Sequence, residues 1–301
     1  MSSLKSCFAS IASLGLLAVT ASAANIVVND FQPLPAGATT PDVWYLNDMR
    51  GAGTATIQDL TGLGGNLENN QPLPTGAAKL TTGAAGGDKS EIATFANLGL
   101  ASSVLNSIQL SYDYYKASSG DAAPAPSIKL IILNSATNSA GNDDYGMLVY
   151  EPYLNHPGIG NPATDLWTSV SINSSTGSGD LGSGGWWWTG GFNIPSSAGG
   201  PPNRSLAEWL AAFQSADASD FAGASVVGIA MGVGSNNLNQ VGYVDNVHVQ
   251  VPSTAPDGGV NKTYDFQAAA VPEGGSNLGM LAMGLAGIFG YRLFKSKSRR
   301  V

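Results

Sequence analysis

Three consecutive tryptophans, Trp186–Trp188, are the residues of this chain best suited to bind a ligand. Aromatic faces stack on sugar rings, and the glycine pairs on both sides of the triplet would allow a loop to expose all three. The alternative is a strand, in which Trp186 and Trp188 enter the core while Trp187 points outward. The strand is favoured because three exposed indoles would leave a large apolar area in water. The pattern therefore predicts Trp187 as the single sugar-stacking residue.

The sequence offers little for catalysis. Its two histidines, His156 and His248, are far apart, and the phase of the second within an alternating strand predicts a solvent-facing side chain. There is no nucleophile elbow, zinc-protease motif or phosphate-binding loop. A pair of carboxylates for glycoside cleavage stays open, because the spacing of such a pair is set in three dimensions. The sequence therefore favours a protein that is not an enzyme.

Charge excludes one class of partner. Between the two termini lie seven of the 13 cations and 20 of the 21 acids, a net charge of −13. Such a surface repels phosphate backbones, so nucleic acid is not expected as a partner, whereas divalent cations would be attracted. The single cysteine, Cys7, lies in the N-terminal segment, so the remaining chain has no thiol for a disulfide, a metal site or a nucleophile.

Short apolar or alternating stretches between Gly- and Asn-rich turns predict an all-β fold, an antiparallel β-sandwich of jelly-roll type. In the clearest example, Ile108, Leu110 and Tyr112 share one face of a strand. The predicted strands are Asn25–Phe31, Thr54–Asp59, Ala77–Thr81, Glu91–Phe95, Ser107–Lys116, Ser127–Leu133, Tyr145–Tyr150, Trp167–Ser171, Val226–Val233 and Gly242–Val251.

One short helix is predicted to pack on the sandwich, over Ser205–Gln214. Ser205 and Glu208 have the spacing of a capping box, which satisfies the free backbone donors at a helix start. An apolar stripe with helical spacing follows, and we expect it to face the core. The stripe consists of Leu206, Trp209, Leu210 and Phe213.

The N-terminal residues 1–23 have the order of a secretory signal peptide. A single cation, Lys5, precedes an apolar run that starts at Phe8, and small residues lead to a predicted cleavage site after Ala23. The sandwich domain is then predicted over residues 24–251. Residues 252–270 are rich in Pro, Gly and Ala and are predicted as a linker, although their Tyr-Asp-Phe-Gln stretch leaves open an additional edge strand.

The last 31 residues contain three parts in order. The motif Val271-Pro272-Glu273-Gly274 comes first, an apolar segment predicted as a transmembrane helix over 278–294 follows, and the end is basic. This order resembles the PEP-CTERM sorting signal, with Gly274 where the commonest motif has proline. The resemblance implies processing by an exosortase-type membrane protease. It also implies a place on the surface or in the matrix of a Gram-negative bacterium that makes extracellular polysaccharide.

The length of the apolar segment agrees with a transient anchor. As a helix, Leu278–Tyr291 spans roughly 21 Å, whereas the hydrocarbon core of a bilayer is about 30 Å thick. The basic end is expected to stay in the cytoplasm and the acidic body outside. A permanent single-span anchor is the alternative to cleavage.

A calcium site is predicted from a second resemblance. Tyr243-Val244-Asp245-Asn246-Val247 is similar to the last strand of many carbohydrate-binding jelly rolls, in which the aspartate helps to hold a structural calcium ion. The resemblance implies Asp245 and Asp30 as metal ligands, although Gln32 stands where those modules often have glutamate. Asp143 and Asp144 are another source of oxygen ligands, and a solvated loop is the alternative to any site.

These predictions describe an exported cell-surface or matrix protein. Its expected partners are an exosortase-type enzyme, the membrane through its C-terminal helix, and an extracellular polysaccharide. A purely structural surface protein without a ligand and a glycan-active enzyme are the two alternatives.

Overall fold

The computed structural model describes residues 22–138, 143–155, 160–177, 185–197, 200–252 and 259–269. The chain up to Gln267 belongs to one compact unit, and a second unit begins at Ala268. Most of the predicted signal peptide and all of the predicted sorting signal, 271–301, lie outside the described residues. None of the described helices is long and apolar enough to cross a membrane, and the helix predicted over 278–294 is not among them.

The described residues are mostly β-structure. The strands are β1 Ala24–Val28, β2 Gln32–Pro33, β3 Trp44–Leu46, β4 Thr54–Asp59, β5 Gly76–Thr81, β6 Lys89–Leu100, β7 Gln109–Ser118, β8 Ser127–Leu133, β9 Tyr145–Tyr150, β10 Trp167–Asn173, β11 Trp186–Gly190, β12 Ser225–Gly234, β13 Val241–Val251 and β14 Val260–Phe266. The helices are α1 Gly65–Asn69, α2 Ala101–Ser107, α3 Leu206–Ala216, α4 Ala218–Phe221 and a 3₁₀-helix at Pro152–Asn155.

The strands form two seven-stranded sheets. In sheet 1, β13 pairs with β14 and β5 along one side and with β7 along the other, and β1, β4 and β10 extend these neighbours outward. Sheet 2 has the order β11-β9-β8-β12-β6-β3-β2. The predicted all-β, two-sheet fold is confirmed.

Two strand pairs correct the prediction of purely antiparallel pairing. β1 pairs with β14 in parallel, and β2 pairs with β3 in parallel. Neither pair is joined by a tight hairpin, since the whole domain separates β1 from β14. A long connection is what parallel neighbours require, whereas a two-residue turn enforces antiparallel pairing.

Both sheets contribute their inner faces to one apolar core. In β8, Ile128, Leu130 and Ile132 enter this core, whereas Lys129 and Ile131 alternate with them and lie on the outer face of sheet 2. Side chains alternate along a strand, so a sandwich strand has one face for the core and one for its surface. The outer face of sheet 2 positions the site described below.

The predicted helix is present as α3 and begins as expected. Ser205 accepts from the Glu208 N–H and the Glu208 carboxylate accepts from the Ser205 N–H, which completes the capping box. Trp209 is fully buried and donates its indole N–H to the Trp186 carbonyl at 2.7 Å, so its predicted place in the core is confirmed.

The prediction of a single helix is wrong. Of the additional helices, α2 buries Ala101, Val104 and Leu105. Segments of four to seven residues are too short to show a helical period in the sequence. The core covers apolar residues of α2 and α4, whereas α1 has no buried residue.

β14 lies inside the range predicted as linker, so the sandwich extends beyond Val251. Its residues pair with β13 on one side and with β1 on the other, and Tyr264 and Phe266 are buried. The additional strand that the sequence left open therefore exists, but it is not an edge strand, because it has a neighbour on each side. It forms because β13 and β1 offer unpaired backbone edges on both sides of it.

Candidate functional site

β11 carries the three tryptophans and confirms their predicted alternation. Trp186 and Trp188 are fully buried, whereas Trp187 is half-buried and lies opposite Val149 of β9 on the outer face of sheet 2. Pairing with β9 fixes this arrangement, because a shift of register by one residue would reverse the faces.

An elongated cavity of about 760 Å³ crosses the outer face of sheet 2, and we call it the outer groove. Trp187 and Thr189 lie at one end, Val149 and Lys129 line its course, and Lys89 lies at the other end. The groove thus runs from β11 to β6, a distance of four strand spacings or roughly 19 Å.

Small residues of β12 lie on the outer face of sheet 2, next to the residues that line the outer groove. Ile229, Met231 and Val233 enter the core, so Ala230 and Gly232 are on the outer face. A Cβ atom on Gly232 would lie 3.4 Å from the ammonium nitrogen of Lys129 and 3.2 Å from the Ser90 carbonyl. A side chain at position 232 would therefore crowd Lys129 and the backbone of Ser90.

At its aromatic end, a single carboxyl group holds two rings. Glu151, just after β9, accepts from the Trp187 indole N–H at 3.0 Å and is hydrogen bonded to the Tyr153 hydroxyl. Burial raises the pKa of Glu151, while these two hydrogen bonds and the charge of Lys129 act in the opposite direction. The rings of Trp187 and Tyr153 belong to different segments, β11 and the 3₁₀-helix, but both are hydrogen bonded to Glu151.

At the charged end, a fully buried carboxylate is paired with two lysines. Glu91 contacts the ammonium groups of Lys129 and, at 2.9 Å, Lys89, and it also accepts from Asn47 at 2.7 Å. Burial acts to raise the pKa of Glu91, but the two lysine charges outweigh it and hold that pKa below its usual value.

Asp48 extends this network to the surface. It lies 2.7 Å from the Lys89 ammonium and accepts two parallel hydrogen bonds from the Arg50 guanidinium, at 2.6 and 2.5 Å. Although burial opposes ionisation, the bonds to Arg50 and Lys89 hold the pKa of Asp48 below its usual value. Three of the seven cations of the body thus lie at the outer groove, each bound to a carboxylate.

The predicted metal ligands have different surroundings. Asp245 is fully buried and accepts from the Phe266 N–H at 3.0 Å. Asp30 is exposed, and its carboxylate accepts from the side chain of Gln32. A bulge in the β13–β7 pairing, with Asn246 at φ 52°, interrupts the alternation and allows both Val244 and Val247 to enter the core.

Asp265 of β14 and Asp113 of β7 are the carboxylates whose charges act on Asp245. Burial, with a smaller contribution from the charges of Asp265 and Asp113, raises the pKa of Asp245 to about 8. One oxygen of Asp245 and one of Asp265 are buried without a hydrogen-bond partner in the described structure. These two oxygens are the best-placed candidates for contact with a cation, since a buried carboxylate oxygen without a partner is costly.

Another acidic group lies where β9 begins. Carboxylate oxygens of Asp144, Asp217 and Asp220 lie within 4.8 Å of one another, next to a cavity of about 420 Å³. Of the adjacent pair considered in the sequence, only Asp144 belongs to this group.

The remaining sequence candidates do not assemble a site within the described ranges. His248 alternates with the buried Val247 and Val249, is partly exposed as its phase predicted, and is hydrogen bonded to Asn261 at 2.9 Å. Asn261 belongs to β14, the strand that pairs with this part of β13. His156 and the sorting motif Val271-Pro272-Glu273-Gly274 lie outside the described residues.

Sequence reasoning missed the polar residues of the outer groove. Lys129 interrupts the apolar strand Ser127–Leu133, and Lys89 and Glu91 alternate at the start of β6. Charges at outward positions of otherwise apolar strands were the available signal in a chain with few charges. Asp265 had a signal in the sequence, because Asp265-Phe266-Gln267 repeats the residues Asp30-Phe31-Gln32.

No protein-family model and no curated protein matches the chain. Among solved structures, it is similar to the family 11 carbohydrate-binding module of the cellulase Lic26A-Cel5E of Clostridium thermocellum, with 10% identity and a TM-score of 0.36 over 73% of this chain and 93% of that chain. The family 11 module of that organism in complex with a β-1,3-1,4-mixed-linked tetrasaccharide matches with 10% identity and a TM-score of 0.36 over 80% and 99%. TmCBM61 in complex with β-1,4-galactotriose matches with 10% identity and a TM-score of 0.30 over 68% and 86%. Likenesses this remote do not place the chain in a family.

Proposed function

We propose that the body of this protein binds a polysaccharide chain in the outer groove. The observation that carries the proposal is Trp187, an outward-facing indole whose nitrogen is held by Glu151 at the end of an open groove. An aromatic ring fixed in this way provides a face for stacking on a sugar at little cost in conformational entropy.

The lining of the outer groove fits the polar edges of sugars. Sugar hydroxyls both donate and accept hydrogen bonds, and short hydroxyl and amide side chains provide partners of both kinds. In the groove these are Ser127, Asn161, Thr189, Ser235, Asn236 and Asn237. The groove crosses five strands, so it fits a stretch of chain rather than a single sugar.

The substitution Trp187→Ala tests the proposal. We expect it to abolish retention of the body by polysaccharides in affinity gel electrophoresis and on a glycan array, while the melting temperature changes little. Trp167→Ala is the matched control, because Trp167 is a half-buried tryptophan of sheet 1. Equal binding by the two variants would contradict a groove site, and a body that binds no glycan would favour the purely structural role.

A glycan-active enzyme is the second candidate, and one observation favours it. The pKa of Glu151 is raised by burial within the groove, as a general acid requires. Cleavage needs a second carboxylate, and Asp48 is already bound to Arg50 and Lys89. We propose binding without cleavage; new reducing ends produced by the wild type but not by Glu151→Gln would overturn this.

We further propose export and sorting at the cell surface. The signal peptide 1–23 and the PEP-CTERM-like end 271–301 support this proposal through the order of their residues alone. An exosortase-type enzyme would process the tail and leave the acidic body on the surface or in the matrix.

Structural calcium remains a proposal, and the unpartnered oxygens of Asp245 and Asp265 favour it. Calcium takes several oxygen ligands, carboxylates among them. Asp265 therefore joins Asp245 as the favoured ligand, with Asp30 as the ligand implied by the sequence resemblance.

A further inference from the structure

We propose that the outer groove selects neutral glycans and excludes acidic ones, such as chains of uronic acids. This inference rests on the proposed glycan-binding function. It follows from the way in which the charged groups of the groove are already paired within the protein.

The count of charges leaves no excess of positive charge for an anionic ligand. Three cations lie at the groove, and four carboxyl groups line it or pair with those cations. If Glu151 is ionised the sum is negative, and if it is protonated the sum is zero. The cations are Arg50, Lys89 and Lys129, and the carboxyl groups are Asp48, Glu91, Asp121 and Glu151.

The cations of the groove are also poorly accessible to a ligand, because they are buried or already bound to carboxylates of the protein. The side chains of Lys129 and Lys89 are 6% and 9% exposed, and both contact the buried Glu91. Arg50 is 57% exposed, but its Nε and Nη2 atoms donate to the two oxygens of Asp48. A uronate would have to displace Asp48 from this paired arrangement, which is the one that recognises carboxylates best. Lys116 lies behind the groove wall, 2% exposed, and bonds the Ala122 carbonyl.

The negative charge of the rest of the molecule also disfavours acidic glycans. Asp121 lies at the rim as an acidic group, and the body carries a net charge of −13. A polyanion is therefore repelled before it reaches the groove, most strongly at low ionic strength. The aromatic end and the hydroxyl and amide side chains keep their capacity for neutral sugars.

Affinity electrophoresis of the body against two sets of polymers tests this selectivity. The neutral set is mixed-linkage β-glucan, galactomannan and xyloglucan, and the acidic set is alginate and polygalacturonate. We expect at least one neutral polymer to retain the body, and Trp187→Ala to abolish this retention. Retention by the neutral polymer should be the same between about 50 and 300 mM salt, a range over which interactions between exposed charges weaken. We expect no retention by the acidic polymers. Trp187-dependent binding of an acidic polymer would overturn the selectivity but leave the proposed function standing. Absence of Trp187-dependent binding to every polymer would overturn both.

A gain-of-function variant tests the cause. Asp48→Asn removes the partner of Arg50 and one partner of Lys89, so we expect affinity for alginate or polygalacturonate to rise roughly threefold or more at low salt, and the gain to disappear at high salt. Asp59→Asn is the control, because it changes the net charge equally on sheet 1, away from the groove. An equal effect of both variants would show that net charge, not internal pairing, excludes acidic chains. If Asp48→Asn does not fold, the comparison of neutral and acidic polymers on the wild type decides the proposal.

Discussion

Trp209 is one of the largest fully buried side chains of the core, so its removal should strongly lower the stability of the fold. It stacks on Phe213 with ring centroids 5.7 Å apart, lies under the Arg204 guanidinium at 4.8 Å and donates to the Trp186 carbonyl. We expect Trp209→Ala to lower the free energy of unfolding by about 3–5 kcal/mol, measured by urea denaturation. The half-buried Trp187 is the control, with a smaller loss on substitution by alanine. A loss of similar size for both variants would contradict the central place of Trp209.

Asp245 should make stability depend on pH and on calcium. Its folded pKa of about 8 exceeds the usual unfolded value, so the folded state binds a proton that the unfolded state has lost. Its contribution to stability is complete below the unfolded pKa and is lost as the pH rises through about 8. In chelator, the wild type should therefore lose stability between about pH 5 and 8, and Asp245→Asn should lose less.

Calcium should reverse that loss if it binds the two carboxylates. A ligand of the folded state alone stabilises by about 2.7 kcal/mol at a hundredfold excess over its Kd. We expect the melting temperature to rise in calcium and not in equal magnesium, and Asp245→Asn to abolish the rise. Asp30→Asn distinguishes the two ligand sets, because it should matter only if Asp30 is a ligand. Identical melting of the wild type in calcium and in chelator would exclude the site.

At the scale of elements, β14 shows why some strands escape prediction. Val260–Phe266 has a weak alternation and follows a stretch rich in Pro and Gly, so local pattern does not separate it from a tether. It becomes a strand through pairing with β13, which precedes it in the chain, and with β1, which comes from the other end of the domain. The alternation of Trp186–Trp188, in contrast, is a local property and was predictable.

Removal of β14 should therefore destabilise the whole sandwich. Phe266 is fully buried, 5.1 Å from the ring of Trp44 and 5.8 Å from that of Phe31. We expect a body that ends at Pro252 to melt well below one that ends at Ala269, or to aggregate. Phe266→Ala in the longer body should cost about 3–5 kcal/mol. Equal melting of the two bodies would show that β14 is dispensable.

At the scale of the whole molecule, the sequence was enough to predict the β-sandwich fold class. It was not enough to predict the order of the strands within each sheet. Alternation in segments such as Gln109–Ser118 and the scarcity of helical periods were enough to predict two β-sheets with one core. The outer groove depends on which strands are neighbours, and Lys89, Lys129 and Glu151 come together only through pairing over long distances in the chain. Trp187 could be predicted because the alternation of a single strand places it on the outer face. Its anchor Glu151 could not, because it follows a different strand, β9, whose pairing with β11 the sequence does not show.

The fate of the C-terminus is a prediction about the complete protein. We expect protein extracted from the surface of its own cells to lack the basic end of the chain, since the Pro272-Glu273 motif and the short apolar segment favour cleavage. Mass spectrometry of the C-terminal peptide measures this. A peptide that ends at Val301 would instead support a permanent anchor.

The position of β14 has a mechanical consequence. Any load applied to the chain after Gln267 passes first into a strand with hydrogen-bonded neighbours on both sides, β13 and β1. Such a strand cannot peel away from a single edge, because two ladders of hydrogen bonds must yield together. The Asp245 carboxylate adds a further bond to the backbone of Phe266, close to the point where the load enters. If the proposed tether at this end and the proposed polymer on sheet 2 are both present, tension between them would pass through the core of the sandwich.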